Sequence, residues 1–245
     1  MKASRIKAFG IHLVISALIA LAVIGLVFFI WYPAPLHTAV GVTQIFLILL
    51  AVDVVLGPLL TLLVYKAGKK TLVMDLTVIA LLQLSALAYG VWTVAEGRPA
   101  WLVFAVDRFE LVRVLDIDER KLEQADLTYQ QPSLLGPQWV AASNPADSDE
   151  RNDLILESGF GGADLAQRPN LYQPLSAQKD AIAQGVLALS KLSEFNTAEH
   201  VNALLAQHPR ADAWLPLRAN NQDMVVLMHK ASAEVVATVD LRPWD

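Results

Sequence analysis

The fold is decided by residues 9–65, which read FGIHLVISALIALAVIGLVFFIWYPAPLHTAVGVTQIFLILLAVDVVLGPLLTLLVY. Between Lys7 and Lys66 only Asp53 carries a formal charge at neutral pH. A soluble domain needs charged groups on its water-facing surface, whereas the hydrocarbon core of a bilayer excludes them. The stretch therefore predicts membrane-spanning helices. An ionisable residue inside such a helix is expensive, so Asp53 is the first candidate for a functional site.

Three apolar segments are long enough to cross a bilayer as helices, for which about 20 residues suffice. They cover approximately residues 9–32, 43–65 and 72–95. The first is longer than the apolar region of a secretory signal peptide and ends in the interfacial pair Trp31-Tyr32, which favours an uncleaved anchor. A buried soluble hairpin is the alternative for the second and third segments, and their length and purity disfavour it.

The positions of Lys and Arg predict the orientation of these helices. The loop at residues 33–42 contains neither residue type. Three basic residues precede the first apolar segment (Lys2, Arg5 and Lys7), and three more lie between the second and third (Lys66, Lys69 and Lys70). The positive-inside rule places both groups on the cytoplasmic side. The sequence thus predicts a cytoplasmic N-terminus, an anchor over residues 1–97 and an exported domain over residues 98–245.

The exported domain is acidic. The chain carries a net charge of −5, and six Lys or Arg against two Asp give residues 1–95 a charge of +4, so the remainder carries −9. A nucleic-acid partner would require a basic face, and electrostatic docking on anionic lipid would too. The sequence has no cysteine, which removes thiol chemistry and cysteine-ligated metals. We expect no nucleic-acid partner.

Runs of β-branched and aromatic residues predict an α+β domain with antiparallel strands. A helix is predicted over residues 176–192 from its apolar stripe, and a second helix to about Gln207 from a capping box formed by Asn196 and Glu199. The predicted strands are residues 101–106, 109–115, 139–142, 214–218, 224–229 and 235–241.

Motifs for catalysis or for metal and cofactor binding are absent from the sequence. The five histidines lack metal-ligand spacing. The acidic run at residues 147–153 resembles a calcium loop, but Arg151 and Asn152 break the pattern, so a helix N-terminus is favoured. The glycine-rich segment 158–162 lacks the Lys-Ser/Thr of a phosphate loop and is interpreted as a hinge. We predict that the protein is not an enzyme and needs no cofactor.

Asp53 has several polar or small neighbours in the anchor. About fifteen Leu, Ile, Val and Phe surround it, each contributing roughly −0.3 to −0.6 kcal/mol to insertion against about +2.5 to +3.5 for a central Asp, so the segment tolerates the acid. Tolerance does not explain why the acid is there. The candidate residues of an intramembrane polar site are Asp53, Gly57, Pro58, Thr61, Gln44 and Gln83.

Two interpretations of this site stay open. In the first, Asp53 hydrogen-bonds Gln83 and holds the three helices together. In the second, Asp53, Gly57 and Pro58 form a notch for the transmembrane helix of another protein, because small residues permit close helix approach. Proton or ion transport is a weaker third, since three helices with one acid offer no continuous relay.

Several segments resemble the type IV pilin accessory protein family, often labelled TfpX/TfpZ. The similarity is dense in the membrane part and, in the exported domain, mainly at its two ends. The most specific motifs are residues 53–61 and 240–244. The matching segments are residues 5–9 (RIKAF), 44–50 (QIFLILL), 53–61 (DVVLGPLLT), 68–70 (GKK), 75–84 (DLTVIALLQL), 102–104 (LVF) and 240–244 (DLRPW).

The resemblance implies a bacterial inner-membrane protein, with a periplasmic C-terminal domain, that helps a major pilin accumulate or assemble into pili. Such proteins are accessory factors or chaperones. We therefore hypothesise a non-catalytic holdase whose second and third helices bind the prepilin helix while the periplasmic domain contacts the pilin head. Other pilus assembly proteins are possible partners. The alternative is a membrane-anchored periplasmic sensor or scaffold that binds a ligand or peptide through residues 98–245.

Overall fold

The computed structural model describes residues 2–244 and divides the chain into two compact units. The first contains the residues up to Ile30 together with Val42–Glu96. The second contains Trp31–Gly41 together with the residues from Gly97 onward. The segment between the first two apolar helices thus groups with the C-terminal part of the chain, whereas the sequence analysis assigns it to the anchor.

Three long helices form the first unit, as the apolar runs predict. Helix α1, Lys2–Gly25, continues into a π-helical turn, Leu26–Trp31. After the five-residue helix α2, Leu36–Val40, come α3, Thr43–Val64, and α4, Leu72–Glu96. All three long helices have the length and hydropathy to cross a membrane. Helix α1 begins before its apolar run because Lys and Arg also favour the helical conformation.

Helix α3 packs against both α1 and α4, and these three helices are called the bundle below. Gly90 brings α4 close to α3, since a β-carbon at this position would lie 2.7 Å from the Leu49 side chain. Arg5 donates to the carbonyls of Leu63 at 2.7 Å and Tyr65 at 2.6 Å, which places a cation at the negative end of α3.

The second unit is built on one mixed sheet with the strand order β4-β3-β1-β2-β6-β7-β8, and β5 pairs with β6. The strands are β1 Pro99–Ala105, β2 Arg108–Arg113, β3 Gln138–Ala142, β4 Tyr172–Pro174, β5 Leu187–Ala188, β6 Ala213–Arg218, β7 Met224–His229 and β8 Glu234–Val239.

The α+β class is confirmed, but the sheet is not purely antiparallel. Strands that follow one another closely form antiparallel hairpins, as with β1–β2, β6–β7 and β7–β8. The pairs β1–β3 and β2–β6 are parallel. Both parallel pairs join strands separated by long connections, which supply the crossover that parallel pairing requires.

Side chains alternate between the two faces of the sheet, and each face has its own core. Leu102 packs with Ile182 on one face, and Leu36 of α2 joins the same cluster. Trp101 packs with Leu154 on the opposite face. Strand β1 is buried along its whole length because both of its faces are covered.

Three further helices cover the sheet: α5 Ser148–Gly159, α6 Lys179–Gly185 and α7 Ala198–Gln207. The acidic run does begin a helix, with Asp147 accepting from the amides of Asp149 and Glu150 at 2.9 Å each. The glycine segment expected to be a hinge instead ends α5, where Gly161 has φ +82 and the Gly162 amide donates to the Glu157 carbonyl.

Two predicted helix features are wrong. The helix expected over residues 176–192 is confined to α6, because the chain is extended after Gly185 and pairs through β5. The predicted apolar stripe consisted of Ile182, Val186 and Leu189. Ile182 and Val186 pack in one hydrophobic cluster and Leu189 in another, so the three residues do not lie on one helical face. Helix α7 has Thr197 as its N-cap without a side-chain bond, and Asn196 binds elsewhere.

An ion-pair network joins α5 to the β2–β3 connection. Glu157 accepts from Arg120 at 2.6 Å and also from Arg168, and these guanidinium groups lower the pKa of its carboxyl to about 2. Since an unfolded Glu titrates near 4.3, this group stabilises the fold above that pH, and the contribution disappears as pH falls through about 2.

We therefore expect Glu157→Gln to lower the unfolding temperature of the detergent-solubilised protein at pH 6. The difference from wild type should narrow between about pH 5 and pH 2. Glu150→Gln is the control, because Glu150 makes a single exposed pair with Lys121 at 2.7 Å and should have a smaller effect. A difference that stays constant across this pH range would contradict the network.

Candidate intramembrane polar site

A hydrogen-bonded polar cluster connects the three helices of the bundle. His12 of α1 contacts Thr61 of α3 through Nδ1 at 2.7 Å and Gln83 of α4 through Nε2 at 2.9 Å. The Gln83 amide nitrogen donates to the Ser16 hydroxyl at 3.0 Å and to the Asp53 backbone carbonyl at 2.9 Å. Gln83 therefore links α4 to both of its neighbours.

The bonding pattern assigns the histidine tautomer. The Gln83 amide oxygen can only accept, so the His12 Nε2 carries the proton, and Nδ1 accepts from the Thr61 hydroxyl. Ser16 and Thr61 are buried, with 7% and 3% of their surface exposed. Each of these groups thus has a partner within the bundle, as polar groups in a hydrocarbon environment require.

Gly57 and Pro58 shape this site from α3. A β-carbon at Gly57 would lie 1.9 Å from Gln83 Oε1, so only glycine leaves room for the glutamine side chain. Pro58 lies inside α3 and removes a helical donor, and nearby carbonyls in such a helix become available to outside donors. The donor that Pro58 lacks would bond the Val54 carbonyl, and the carbonyl of the preceding residue, Asp53, accepts from Gln83 at 2.9 Å.

The Asp53 side chain does not take part in the cluster. Among residues 2–244 no hydrogen bond or ion pair to its carboxylate is found, although its backbone carbonyl is bonded. The side chain is half-buried and lines a cavity of about 250 Å³ between α1, α3 and α4, which His12, Ser16 and Gln83 also line. The cavity wall is otherwise apolar.

Five of the six predicted site residues are thus brought together. Thr61 and Gln83 join the cluster, Gly57 and Pro58 are buried beside it, and Asp53 lies at its edge. Gln44 is exposed near the start of α3, and no contact with the cluster is found in the described part of the chain.

Sequence reasoning missed His12 and Ser16. It tested the five histidines only for metal-ligand spacing, and it sought polar partners for Asp53 only on the second and third spans. The available signal was their spacing, because residues four apart lie on the same face of a helix. A histidine and a serine on one face of an otherwise apolar span indicate a polar contact with a neighbouring helix.

The second unit contains a polar cavity of about 430 Å³ lined by the middle of β2 and the end of β6, the strand that pairs with it in parallel. In its lining Glu110 lies 4.0 Å from Arg218, and Asp116 and Asp164 line the same cavity. Burial raises the pKa of the Glu110 carboxyl, and the Asp164 charge raises it further. This cavity is the structural candidate for ligand binding by the C-terminal domain.

The C-terminal motif at residues 240–244 stabilises the loop between β6 and β7. Trp244 donates from its indole nitrogen to Asp223 at 2.8 Å, and Asp223 also accepts from the Ala219 amide at 2.8 Å. Arg242 donates to the Asp223 carbonyl and to Asp240. The motif therefore fixes the conformation of this loop.

The same loop binds the end of α2. The backbone amides of Asn221 and Gln222 both donate to the Ala39 carbonyl, at 3.0 and 3.1 Å, and the Asn221 side chain donates to the Thr38 carbonyl at 3.1 Å. The segment between the first two spans is thereby held by the C-terminal sheet. This contact was not predicted, because a short loop reveals no long-range partner.

Comparison with known proteins identifies relatives of the whole chain. A sequence model of the family described as "Fimbrial assembly protein FimB" matches residues 2–41. The fimbrial assembly protein of serogroup E1 from Dichelobacter nodosus is 31% identical over 233 residues, covering 91% of this chain and 90% of that protein. The serogroup I protein of the same organism is 30% identical with the same coverage.

A third relative, the fimbrial assembly protein of serogroups C1 and C2, is 36% identical over 121 residues, which is 49% of this chain and 92% of that protein. No solved structure matches the fold significantly. The similarity to the serogroup E1 and I proteins extends through both units, from the bundle to the C-terminal sheet. Because these two relatives are 31% and 30% identical and match 91% of this chain, the chain belongs to the family of fimbrial assembly proteins.

Proposed function

We propose that this protein is a type IV pilin accessory protein of the TfpX/TfpZ kind, a non-catalytic membrane chaperone that stabilises the major pilin or assists its assembly into pili. The family of fimbrial assembly proteins supports a role in pilus biogenesis. The relatives are named as fimbrial assembly proteins, and these names refer to no catalysed reaction. The membrane-spanning helices support an action at the bilayer.

The observation that carries the proposal is the unpaired Asp53 carboxylate. His12, Thr61, Ser16 and Gln83 satisfy one another, so the cluster already stabilises the bundle without the acid. A carboxylate inside a membrane is retained at considerable cost and normally has a partner. A helix of another protein that docks beside α3 and α4 can supply this partner.

The chemistry of Asp53 restricts the docking helix. A carboxylate accepts hydrogen bonds and attracts cations, so the partner carries a donor or a positive group at the same depth in the membrane. The prepilin helix is the partner in this proposal. The domain from residue 98 onward contacts the pilin head in the periplasm, with the N-terminus in the cytoplasm and the anchor in the inner membrane.

Deletion of the gene tests this function. The steady-state amount of the major pilin should fall, surface pili should disappear, and expression of the wild-type protein from a plasmid should restore both. An immunoblot for the pilin and electron microscopy of the cells measure these outcomes. Normal pilin and pili after deletion would contradict an accessory role.

A membrane-anchored periplasmic sensor or scaffold is the second candidate, favoured by the polar cavity around Glu110 and Arg218. It predicts that deletion leaves pilin abundance unchanged. It also predicts that Arg218→Ala impairs function whereas Asp53→Leu does not. The chaperone proposal predicts the reverse order of effects.

A further inference from the structure

Two exposed leucines lie at the exit of the first membrane span. Trp31 is the last residue of that span and also belongs to the second unit. Its indole nitrogen donates to the Leu134 carbonyl at 3.2 Å. The Leu134 and Leu135 side chains nevertheless remain 67% and 85% exposed, so this contact to the backbone leaves them facing away from the protein.

The loop that carries these leucines forms an ordered turn at its tip. The Ser133 hydroxyl accepts from the Leu135 amide at 3.0 Å, and Gly136 follows with φ +110, a conformation that favours glycine. Pro132 and Pro137 flank the tip and lack backbone donors, which reduces the number of polar groups that must be satisfied outside water. The exposed leucines are therefore presented on an ordered turn.

The composition of the segment matches a lipid environment. No charged residue occurs between Asp126 and Asp147, although the domain as a whole is strongly acidic. An acidic segment would be repelled by anionic headgroups, whereas an uncharged one with leucines at its tip gains from contact with acyl chains. The absence of basic residues means that the contact is hydrophobic and not electrostatic.

The position of Trp31 supplies the link to the bilayer. Tryptophan at the end of a span favours the membrane–water interface, where the ring is partly apolar and the nitrogen finds a polar partner. Arg98, two residues after the third span ends at Glu96, stacks over the Trp31 ring at 5.9 Å. Trp31 therefore contacts both Leu134 and Arg98, the second of which follows the third span by two residues.

From this geometry we infer that Leu134 and Leu135 insert into the outer leaflet of the same membrane, at the boundary between headgroups and acyl chains. The insertion adds a peripheral contact to the three spans and fixes the loop of residues 131–137 against the lipid surface. The occupant of this apolar patch is the bilayer and not a pilin or a second copy of the chain.

The absence of cysteine makes a clean test possible, because an introduced cysteine is the sole labelling site. We would label Leu135→Cys in the full chain with an environment-sensitive fluorophore and reconstitute it in phosphatidylcholine vesicles at low protein density. Asp107→Cys is the matched control. It lies in the turn at the far end of β1 from Arg98, about 20 Å away along the strand.

The label at Leu135→Cys should show blue-shifted emission, quenching by lipids spin-labelled near the headgroup and protection from aqueous iodide. The control label should show none of these. Equal exposure of both labels to iodide would overturn the inference. Protection that requires added pilin, or that is lost when the protein is diluted among vesicles, would also overturn it by identifying a protein as the occupant.

Discussion

Gly57→Ala should lower the free energy of unfolding of the bundle by about 2 kcal/mol, because three interhelical hydrogen bonds of roughly 0.6 kcal/mol each are lost. The new methyl group would occupy the position of the Gln83 amide, which must then leave His12, Ser16 and the Asp53 carbonyl. Unfolding of the reconstituted or detergent-solubilised protein by a titration with denaturing detergent measures the change.

Gly25→Ala is the matched control for this substitution. It also lies in a long helix, but its added methyl group would meet no atom within 4 Å, so we expect no loss of stability. The double variant with Gln83→Ala provides a second check. Because Gln83→Ala alone already removes the contacts, adding Gly57→Ala to it should cost little. Additive losses would show that the two residues act independently and would contradict the cluster.

Asn196→Ala should destabilise the C-terminal domain by about 2–3 kcal/mol, because three hydrogen bonds of roughly 1 kcal/mol each are lost. The Asn196 amide nitrogen donates to the carbonyls of Leu192 and Arg242 at 2.9 Å each, and its oxygen accepts from the Arg242 amide at 2.8 Å. This side chain holds the C-terminal motif against the preceding turn.

Glu199→Ala separates this role from helix capping. In a capping box, both Asn196 and Glu199 would contribute, and loss of the cap would cost about 1 kcal/mol. The observed contacts predict a large effect at Asn196 and almost none at Glu199. Thermal unfolding followed by tryptophan fluorescence measures both variants. Equal effects at the two positions would support the capping box and contradict the role of the Asn196 hydrogen bonds to Leu192 and Arg242.

The elements that sequence reasoning predicted well are those with a local cause. The three spans follow from runs of apolar residues, and the strands β6, β7 and β8 follow from short apolar runs separated by turns. The acidic start of α5 follows from the preference of carboxylates for a helix N-terminus. Each of these features depends on neighbours within a few residues.

The features that were missed depend on contacts distant in sequence. Whether Gln83 binds the Asp53 carboxylate or its carbonyl depends on the rotation of three helices about their axes, which hydropathy leaves undetermined. The parallel pairing of β2 with β6 requires knowledge of the crossover. Leu36 enters the sheet core only because the C-terminal loop binds α2, a contact that spans most of the chain.

The two interpretations of Asp53 predict different contacts within the bundle. The first required a bond between the Asp53 carboxylate and Gln83, and the structure has the bond at the backbone carbonyl instead. Gly57 packs against Gln83 of its own bundle, so the room it provides is used internally. We propose that the partner contact is made by the Asp53 carboxylate, while Gly57, Pro58, Thr61 and Gln83 hold the helices that position it.

Pilin binding by Asp53 variants tests this account most directly. Asp53→Asn and Asp53→Leu would each be expressed at wild-type level, and the steady-state pilin and the pilin co-purified with the protein would be measured. Unfolding of the bundle would be measured in parallel, and it should not be weakened, because the carboxylate makes no bond within the described residues. We predict that both the steady-state pilin and the co-purified pilin fall strongly in the Asp53→Leu variant. Both should be partly retained in the Asp53→Asn variant, because asparagine can still accept a hydrogen bond. Normal pilin levels and normal co-purification in both variants would contradict the account.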